Sequence, residues 1–284
     1  MGKVLISQIL LLIGSISFSY AGIFLSTDIP VDTEYHSYED RDVAYYEPSF
    51  FRFYLSGQAM GISEGLNIDA FDFYGNDILF SVDIPLNLDG KSYSERDIIL
   101  YNGINFSKLI NGADVGIPQG ARIDAATVLP DGKIIFSLDI PVVIDNLTFK
   151  PTDLIIYDGV SVDLYFNGIV SGLPESANLD GVWVNSEGSI LFSIDIPAVI
   201  NGLSVTDKDF IEWNGSSFFL PFADISVNLP QGVDIDALAV ADWCHGDYDN
   251  DSDVDGSDLA VYISDSQGLL LETFAVNFGR TYCP

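Results

Sequence analysis

The sequence predicts an all-β protein built from four tandem repeats, and three observations support this fold class. The phrase Phe-Ser-x-Asp-Ile-Pro occurs at residues 80–85, 136–141 and 192–197, and a divergent copy occupies residues 24–30. A second landmark, Asn-Ile-Asp-Ala and its variants, recurs with the same spacing of 55 or 56 residues. The third observation is composition: only nine of the 42 acidic residues are Glu, and Asp favours turns over helix interiors. Two independent markers with one period establish an internal repeat.

Each repeat is predicted to contain four short strands. In the clearest copy these strands fall within residues 123–130, 133–140, 153–159 and 160–168. They are rich in β-branched and aromatic residues, and Asp-Gly and Asn-Gly pairs mark the turns between them. The strands are apolar at both alternating positions, which is typical of sheets covered on both faces.

The phase of the repeat favours a closed ring. The chain after residue 21 begins with the second strand of a unit, and the fourth unit is followed by one more strand of the first type, near residues 233–242. Closure would pair these two lone strands and remove their exposed edges. We therefore predict a four-bladed β-propeller over residues 22–243, because four-stranded units around a ring define that fold. The alternatives are an open β-repeat stack and a propeller closed by dimerisation into eight blades.

Residues 1–21 are predicted to be a signal peptide. Lys3 provides the positive charge, an apolar stretch follows, and Ser-Tyr-Ala ends at Ala21 as a small-x-small cleavage signal. An uncleaved anchor is the alternative. The sequence contains no later stretch of about 20 apolar residues, so a protein that is secreted or periplasmic is expected, with no membrane span after cleavage.

The net charge limits the classes of partner that the protein can bind, and the cysteines indicate how the C-terminal segment is held together. The formal net charge of −31 excludes nucleic acid, whose phosphates require clustered positive charge. Cys244 and Cys283 are the only cysteines, and in an exported chain a disulfide between them is the simplest interpretation. A zinc site that uses both cysteines and His245 is an alternative, although the characteristic ligand spacing is missing.

The recurring aspartates allow two interpretations. Because the first strand of a propeller blade lines the central channel, four of them could form an axial ring that needs a bound cation or raised pKa values. Alternatively, each could stand at a strand entrance and accept hydrogen bonds from backbone amides. The four axial candidates are Asp69, Asp124, Asp180 and Asp236. The repeated Ser-x-Asp of the first landmark is interpreted as turn and cap structure.

No catalytic residue is predicted. The only histidines are His36 and His245, and the sequence contains no Gly-x-Ser-x-Gly pattern. A carboxylate pair for glycoside hydrolysis remains open in so acidic a chain, but no particular pair stands out.

Residues 247–258 fit the twelve-position pattern of a calcium-binding loop. The side chains of Asp247, Asp249 and Asp251 fall at positions 1, 3 and 5, and Asp258 falls at position 12. Asp253, at position 7, would bind through its backbone carbonyl, and Asp255, at position 9, through a water molecule. An apolar helix is predicted to follow the loop. This pattern of oxygen ligands predicts a Ca²⁺ site.

Residues 244–284 resemble the dockerin-type, EF-hand-like calcium-binding modules that end many secreted bacterial proteins. The resemblance rests on Gly-Asp-Tyr-Asp-Asn-Asp-Ser-Asp-Val-Asp-Gly-Ser-Asp-Leu-Ala and on Phe-Ala-Val-Asn-Phe-Gly-Arg-Thr-Tyr-Cys-Pro. Ser252 departs from the glycine usual at position 6, and no second loop follows. The resemblance implies one calcium ion, a cohesin-like protein or an extracellular polysaccharide as partner, and frequent association with polysaccharide-degrading enzymes.

The sequence as a whole indicates an exported, calcium-binding, non-enzymatic binding or scaffold protein. The alternative is a polysaccharide-active hydrolase that carries the dockerin-like module. The ligand of the propeller and the oligomeric state are left open.

Overall fold

The computed structural model describes residues 22–32, 37–47, 50–75, 77–222, 229–240 and 255–264. These residues form a β-propeller of four blades, each a four-stranded antiparallel sheet. The central strands are β6 (Ala70–Tyr74), β12 (Ile123–Val128), β18 (Leu179–Val184) and β24 (Ile235–Val240). They are neighbours in this cyclic order, and β24 contacts both β18 and β6.

The other three strands of each blade follow outward in sequence. The second strands are β1 (Ile23–Thr27), β7 (Asp77–Ser81), β13 (Ile134–Leu138) and β19 (Ile190–Ile194). The third strands are β4 (Val43–Glu47), β10 (Ile98–Tyr101), β16 (Leu154–Tyr157) and β22 (Ile211–Trp213). The outermost strands are β5 (Phe50–Leu55), β11 (Phe106–Ile110), β17 (Val162–Phe166) and β23 (Phe218–Phe219).

The C-terminal strand closes the ring within one chain. Strand β24 pairs antiparallel with β1, and Phe24 lies opposite Ala239. The first blade therefore has the order β24-β1-β4-β5. The predicted four-bladed propeller is confirmed, and the open stack and the ring closed by dimerisation are both wrong, because the two lone strands pair with each other.

Each blade also contains short elements that were not predicted from the sequence. A hairpin separates the second strand from the third in every blade: β2 (Val31–Asp32) with β3 (Ser37–Tyr38), β8 (Leu86–Leu88) with β9 (Lys91–Tyr93), β14 (Val142–Ile144) with β15 (Leu147–Phe149), and β20 (Ala198–Ile200) with β21 (Leu203–Val205). One-turn helices α1 (Gly57–Met60), α2 (Gly112–Val115) and α3 (Gly168–Ser171) follow the outermost strands of the first three blades. Helix α4 (Gly256–Ser264) lies near the C-terminus. No described helix has the length and hydropathy required to cross a membrane.

The hydrophobic core consists of four clusters, one between each pair of neighbouring blades. Strand β13 shows how the sequence builds them: all five of its residues are buried, Ile135 packs toward the fourth blade and Phe136 toward the second. Both faces of each sheet are thus covered. This explains why the strands lack the apolar–polar alternation of a half-exposed sheet.

Candidate functional site

The central strands begin at one end of the propeller, and the residues around their first positions form the candidate site. Two residues before each axial aspartate stand Asn67, Arg122, Asn178 and Asp234. The backbone amide of each of these four is held by an aspartate of the first landmark in the same blade, at 2.7 or 2.8 Å from the carboxylate oxygen. The accepting residues are Asp83, Asp139, Asp195 and Asp28.

The landmark serines bind neighbouring blades together. Ser137 donates its hydroxyl to the carbonyl of Leu179 in the next blade at 2.8 Å. Ser193 does the same to the carbonyl of Ile235 at 3.1 Å, which ties the last blade to the closing strand. Equivalent bonds run from Ser26 to Ile68 and from Ser81 to Ile123. Both parts of the repeated Ser-x-Asp are therefore hydrogen-bonded to backbone, as a structural role requires.

Three of the four axial aspartates are almost entirely buried. Asp69 and Asp124 are each 3% exposed and Asp180 is 6% exposed, while Asp236 is half-buried. Arg122 reaches between two blades, with its Nε 2.9 Å from Asp69 Oδ2 and 3.0 Å from Asp124 Oδ1. One cation thus neutralises part of the ring, and nothing comparable stands beside Asp180 among the described residues.

Two asparagine side chains use their amide nitrogens as donors to axial carboxylates and leave their carbonyl oxygens without a partner. The amide of Asn67 donates to Asp236, and that of Asn178 donates to Asp124. The carbonyl oxygens of both asparagines are buried without a hydrogen-bond partner, and so is Oδ2 of Asp180. Asp69 Oδ2 also accepts no hydrogen bond, although it lies 2.9 Å from Arg122 Nε. Among the described residues, the other three oxygens have neither a donor nor a cation beside them, a situation that native proteins usually avoid.

Burial and mutual repulsion raise the pKa of every axial carboxyl group. Burial raises the pKa of Asp124 to about 6 although Arg122 and Asn178 oppose the shift, and burial raises the pKa of Asp236 to about 7 despite the bond from Asn67. Burial, and then the nearby charge of Asp236, raises the pKa of Asp234 to about 8. For Asp69 and Asp180, burial raises the pKa well above its usual value, and the charge of Asp124 adds to this in both.

The strand-entrance interpretation of these four aspartates is wrong in one respect. Among the described residues, no hydrogen bond joins the carboxylate of Asp69, Asp124, Asp180 or Asp236 to a backbone amide; their partners are side chains, and Asp180 has none. The landmark aspartates, such as Asp83, accept from the backbone amides instead. The axial carboxylates instead act on one another, and, in addition to burial, the charges of Asp124 and Asp236 raise the pKa of both Asp69 and Asp180.

The axial ring can hold either protons or a cation. Like charges confined in a poorly solvated space raise one another's proton affinity, and they also favour a bound cation. No group of three or more His, Cys, Asp and Glu side chains within the described part of the chain is already arranged around a metal position. A cation would therefore require rotation of the carboxylates toward it.

A third repeated aspartate was missed by the sequence reading. Asp42, Asp97, Asp153 and Asp209 recur at the same period just before the third strands. Asp153 is typical: it accepts from the amides of Lys150 at 2.9 Å and Gly168 at 3.1 Å, and so joins the start of β16 to helix α3. The signal available was the period itself, together with a glycine 15 residues later in the first three copies.

Glycine is required at this position because the backbone of the preceding strand start lies too close for a side chain. A Cβ atom at Gly168 would lie 2.1 Å from the carbonyl oxygen of Thr152, and Gly57 and Gly112 are equally tight. The repeated Asp–Gly pair is therefore a structural clip.

The described end of the acidic C-terminal segment has an ordered arrangement. The amide of Asp255 donates to Asp258 Oδ2 at 2.8 Å, and the amide of Ser257 donates to Asp255 Oδ1 at 2.6 Å. Together these bonds cap the start of α4: Asp255 accepts from an amide of the first turn, and Asp258 accepts from the amide of Asp255. Asp258 is fully buried. The helix predicted to follow the loop is present.

Other predicted features fall outside the described residues. These are the signal peptide, the loop residues Asp247, Asp249, Asp251 and Asp253, and the disulfide partners Cys244 and Cys283. They stay predictions.

A cleft of about 630 Å³ lies where the central strands β6, β12 and β18 end, opposite the axial aspartates. Phe73, Tyr74 and Trp183 line it and are partly exposed. None of the described residues in its lining is charged, although the chain carries a formal net charge of −31. The cleft is therefore uncharged and partly aromatic, in contrast to the carboxylate-rich surroundings of the axial aspartates.

Comparison with known proteins identifies no family. No protein-family model matches the chain, and no curated protein matches it. Among solved structures, YCF48 from Cyanidioschyzon merolae matches over 71% of this chain and 56% of its own, with 10% identity and a TM-score of 0.29. The β-propeller domain of the Trilobed protease from Pyrococcus furiosus matches over 72% of this chain and 50% of its own, with 13% identity and a TM-score of 0.28.

A further match is YCF48 bound to D1 peptide, with 8% identity and a TM-score of 0.33 over 73% of this chain and 84% of that one. The chain spans about half of the length of the first two of these structures. Similarity this low carries no argument about function. The strand order of the chain itself establishes it as a four-bladed β-propeller.

Proposed function

We propose that this protein is an exported, non-enzymatic binding protein in which a rigid propeller is followed by a C-terminal calcium-binding loop. The propeller presents its uncharged, aromatic cleft to a ligand, and calcium binds the C-terminal segment. The single observation that carries the calcium assignment is the pairing of Asp255 and Asp258 at the start of helix α4.

The contacts of Asp258 support this assignment. Positions 9 and 12 of a calcium loop must be near each other, with position 12 on the first turn of the exiting helix. Asp255 and Asp258 meet this requirement, because the backbone amide of Asp255 lies 2.8 Å from Asp258 Oδ2. Asp258 is fully buried even though it is acidic. The remaining ligands are proposed to be Asp247, Asp249, Asp251 and Asp253.

The cleft supports the binding role of the propeller. Ligand sites are usually concave, with aromatic side chains and a few polar groups, and the cleft combines Phe73, Tyr74 and Trp183 with Asn185 and Ser186. Its neutral lining and the acidity of the chain disfavour anionic ligands. A neutral polysaccharide, whose sugar rings pack on aromatic faces, is therefore the proposed ligand.

Calcium titration of the intact chain tests the loop. Calorimetry of metal-stripped protein is expected to show a site that disappears in Asp247→Ala/Asp249→Ala, because these carboxylates supply two side-chain ligands. Glu187→Gln, which removes one exposed charge outside the loop, is the matched control and should bind like the wild type. Identical titrations for the loop variant and the wild type would refute the loop assignment.

Glycan binding tests the cleft. A screen of neutral polysaccharides by affinity electrophoresis is expected to show retardation that Trp183→Ala and Tyr74→Ala both reduce. Retardation unaffected by either variant would place the ligand elsewhere. Release of reducing ends during the assay would contradict the non-enzymatic assignment and favour the hydrolase.

A further inference from the structure

We propose that the axial carboxylates bind one calcium ion in the central channel, on the side of Asp180, as a second site distinct from the C-terminal loop. This inference goes beyond the proposed function and does not depend on it. Its ligands come from more than one blade, so the ion would hold those blades together.

The first support is an unpartnered carboxylate. Asp180 is 6% exposed, its Oδ2 accepts no hydrogen bond, and its electrostatic neighbours are the carboxylates of Asp124, Asp234, Asp195 and Asp236. A buried carboxylate without a donor carries a desolvation penalty of several kcal/mol. A cation among these carboxylates would remove that penalty.

The second support is the chemistry of the other unpartnered atoms. The carbonyl oxygens of Asn67 and Asn178 are also buried without donors, and each asparagine already uses its amide nitrogen to bind an axial carboxylate. Their orientation therefore leaves oxygen, and not nitrogen, available. Carboxylate and amide oxygens are the ligands that calcium prefers.

The position of Arg122 determines which side of the ring is available. Its guanidinium pairs with Asp69 and Asp124 at 2.9 and 3.0 Å and approaches Asp139 at 3.9 Å. The opposite side contains Asp180, Asp234 and Asp236, and no described cation contacts them. One bound divalent ion would balance the charge there as Arg122 does on its own side.

The available ligands are carboxylate and amide oxygens from different blades, and such a set favours calcium over magnesium. Calcium accepts six to eight oxygens in irregular geometry, whereas magnesium requires near-ideal octahedral placement. Asp180 accepts no hydrogen bond that would oppose rotation of its side chain.

The experiment measures how many calcium ions the full chain binds in the wild type and in three variants. The metal-stripped wild type is expected to bind two ions. Asp247→Ala/Asp249→Ala and Asp180→Asn are each expected to bind one. Asp180→Asn should fold, because it replaces a carboxylate with an amide of the same shape and loses no hydrogen bond. Glu187→Gln is the control for charge removal. Unchanged binding by Asp180→Asn would overturn the axial site.

The two calcium assignments fail separately. If the loop variant binds as much calcium as the wild type while Asp180→Asn binds less, the loop is refuted and the axial site stands. If only the loop variant loses an ion, the axial site is refuted.

A thermal melt gives a second readout that a purely structural role would not produce. Without calcium, Asp180→Asn is expected to raise Tm by roughly 3–6 °C, because the amide removes the cost of burying this carboxyl group either charged among like charges or protonated. With saturating calcium its Tm should fall below that of the wild type, because one ligand is lost. A change of the same sign in both buffers would contradict the proposal, and an equal response to magnesium would contradict the choice of calcium.

Discussion

The clip aspartates before the third strands and the axial aspartates at the channel are repeated equally regularly, yet their surroundings differ. Asp97 is fully buried, but bonds from Lys108 and from the amides of Ser94 and Gly112 outweigh burial and lower its pKa. Asp180 is also buried, accepts no bond, and has its pKa raised by burial and by neighbouring carboxylates. Repetition alone therefore does not distinguish a structural aspartate from a candidate ligand. The donors around it do.

The two sets of aspartates differ because free backbone N–H groups are available near one set and not near the other. A clip aspartate faces the first turn of a helix and the turn before a strand, where free backbone N–H groups are available. An axial aspartate faces the channel, where the other blades contribute the same residue. Fourfold symmetry thus supplies donors in one region and like charges in the other.

The largest expected effect is at a clip. Asp153→Ala would leave the amides of Lys150 and Gly168 without their acceptor, so the free energy of unfolding should fall by about 3–4 kcal/mol. Denaturant titration measures this, with Asp163→Ala on the exposed face of β17 as a control that should change little. Equal loss in both variants would remove the distinction between clip and surface aspartates.

Asp72 is an intermediate case that sharpens the comparison. It accepts bonds from Thr127 Oγ1 at 2.7 Å and from the amides of Val128 and Phe73 at 2.8 Å, yet burial raises its pKa to about 6. The folded state therefore holds the proton more tightly than the unfolded state. The resulting stabilisation is complete below about pH 4 and is lost as the pH rises through about 6, amounting to about 3 kcal/mol.

Asp72→Asn removes this titration. Denaturant titrations from pH 4 to 7 are expected to show the stability of the variant rising relative to the wild type as the pH increases. A difference that does not change with pH would show that the three hydrogen bonds fully offset burial.

Replacing Arg122 shows how much the axial carboxylates destabilise the fold when their cation is removed. Arg122→Gln leaves Asp69 and Asp124 without their cation, which we expect to cost about 2 kcal/mol in calcium-free buffer, less than for a fully buried pair because the guanidinium side chain is 34% exposed. Calcium should recover part of the loss. Chemical denaturation with and without calcium measures it, and an unchanged stability would mean that the carboxyls are already protonated.

The smallest effect is expected at the bonds between blades. Ser137→Ala removes the hydroxyl that donates to the Leu179 carbonyl, at a cost of about 1 kcal/mol. Ser161→Ala, on an exposed turn, is the control. If Ser137→Ala is neutral, packing alone holds the blades together.

The repeat period was sufficient to predict four blades and their closure, because the lone strands at the two ends of the repeat had no other partner. The small hairpins were missed although Asp89-Gly90, Asp145-Asn146 and Asn201-Gly202 mark their turns, where both residues have positive φ. In the site, the sequence predicted that the four axial aspartates would either form a ring, with a bound cation or raised pKa values, or accept bonds from backbone amides. It did not identify Arg122 and the asparagines as their partners, because those positions differ from blade to blade.

The central claim is that the same residue stabilises the fold at the clips, where donors satisfy it, and destabilises the fold at the axis, where they do not. Asp97→Asn and Asp180→Asn, melted side by side in calcium-free buffer near neutral pH, test it most directly. Asp97→Asn is expected to lower Tm, because an amide nitrogen cannot accept from Lys108 or from a backbone amide. Asp180→Asn is expected to raise it. A lower Tm in both variants would contradict the claim.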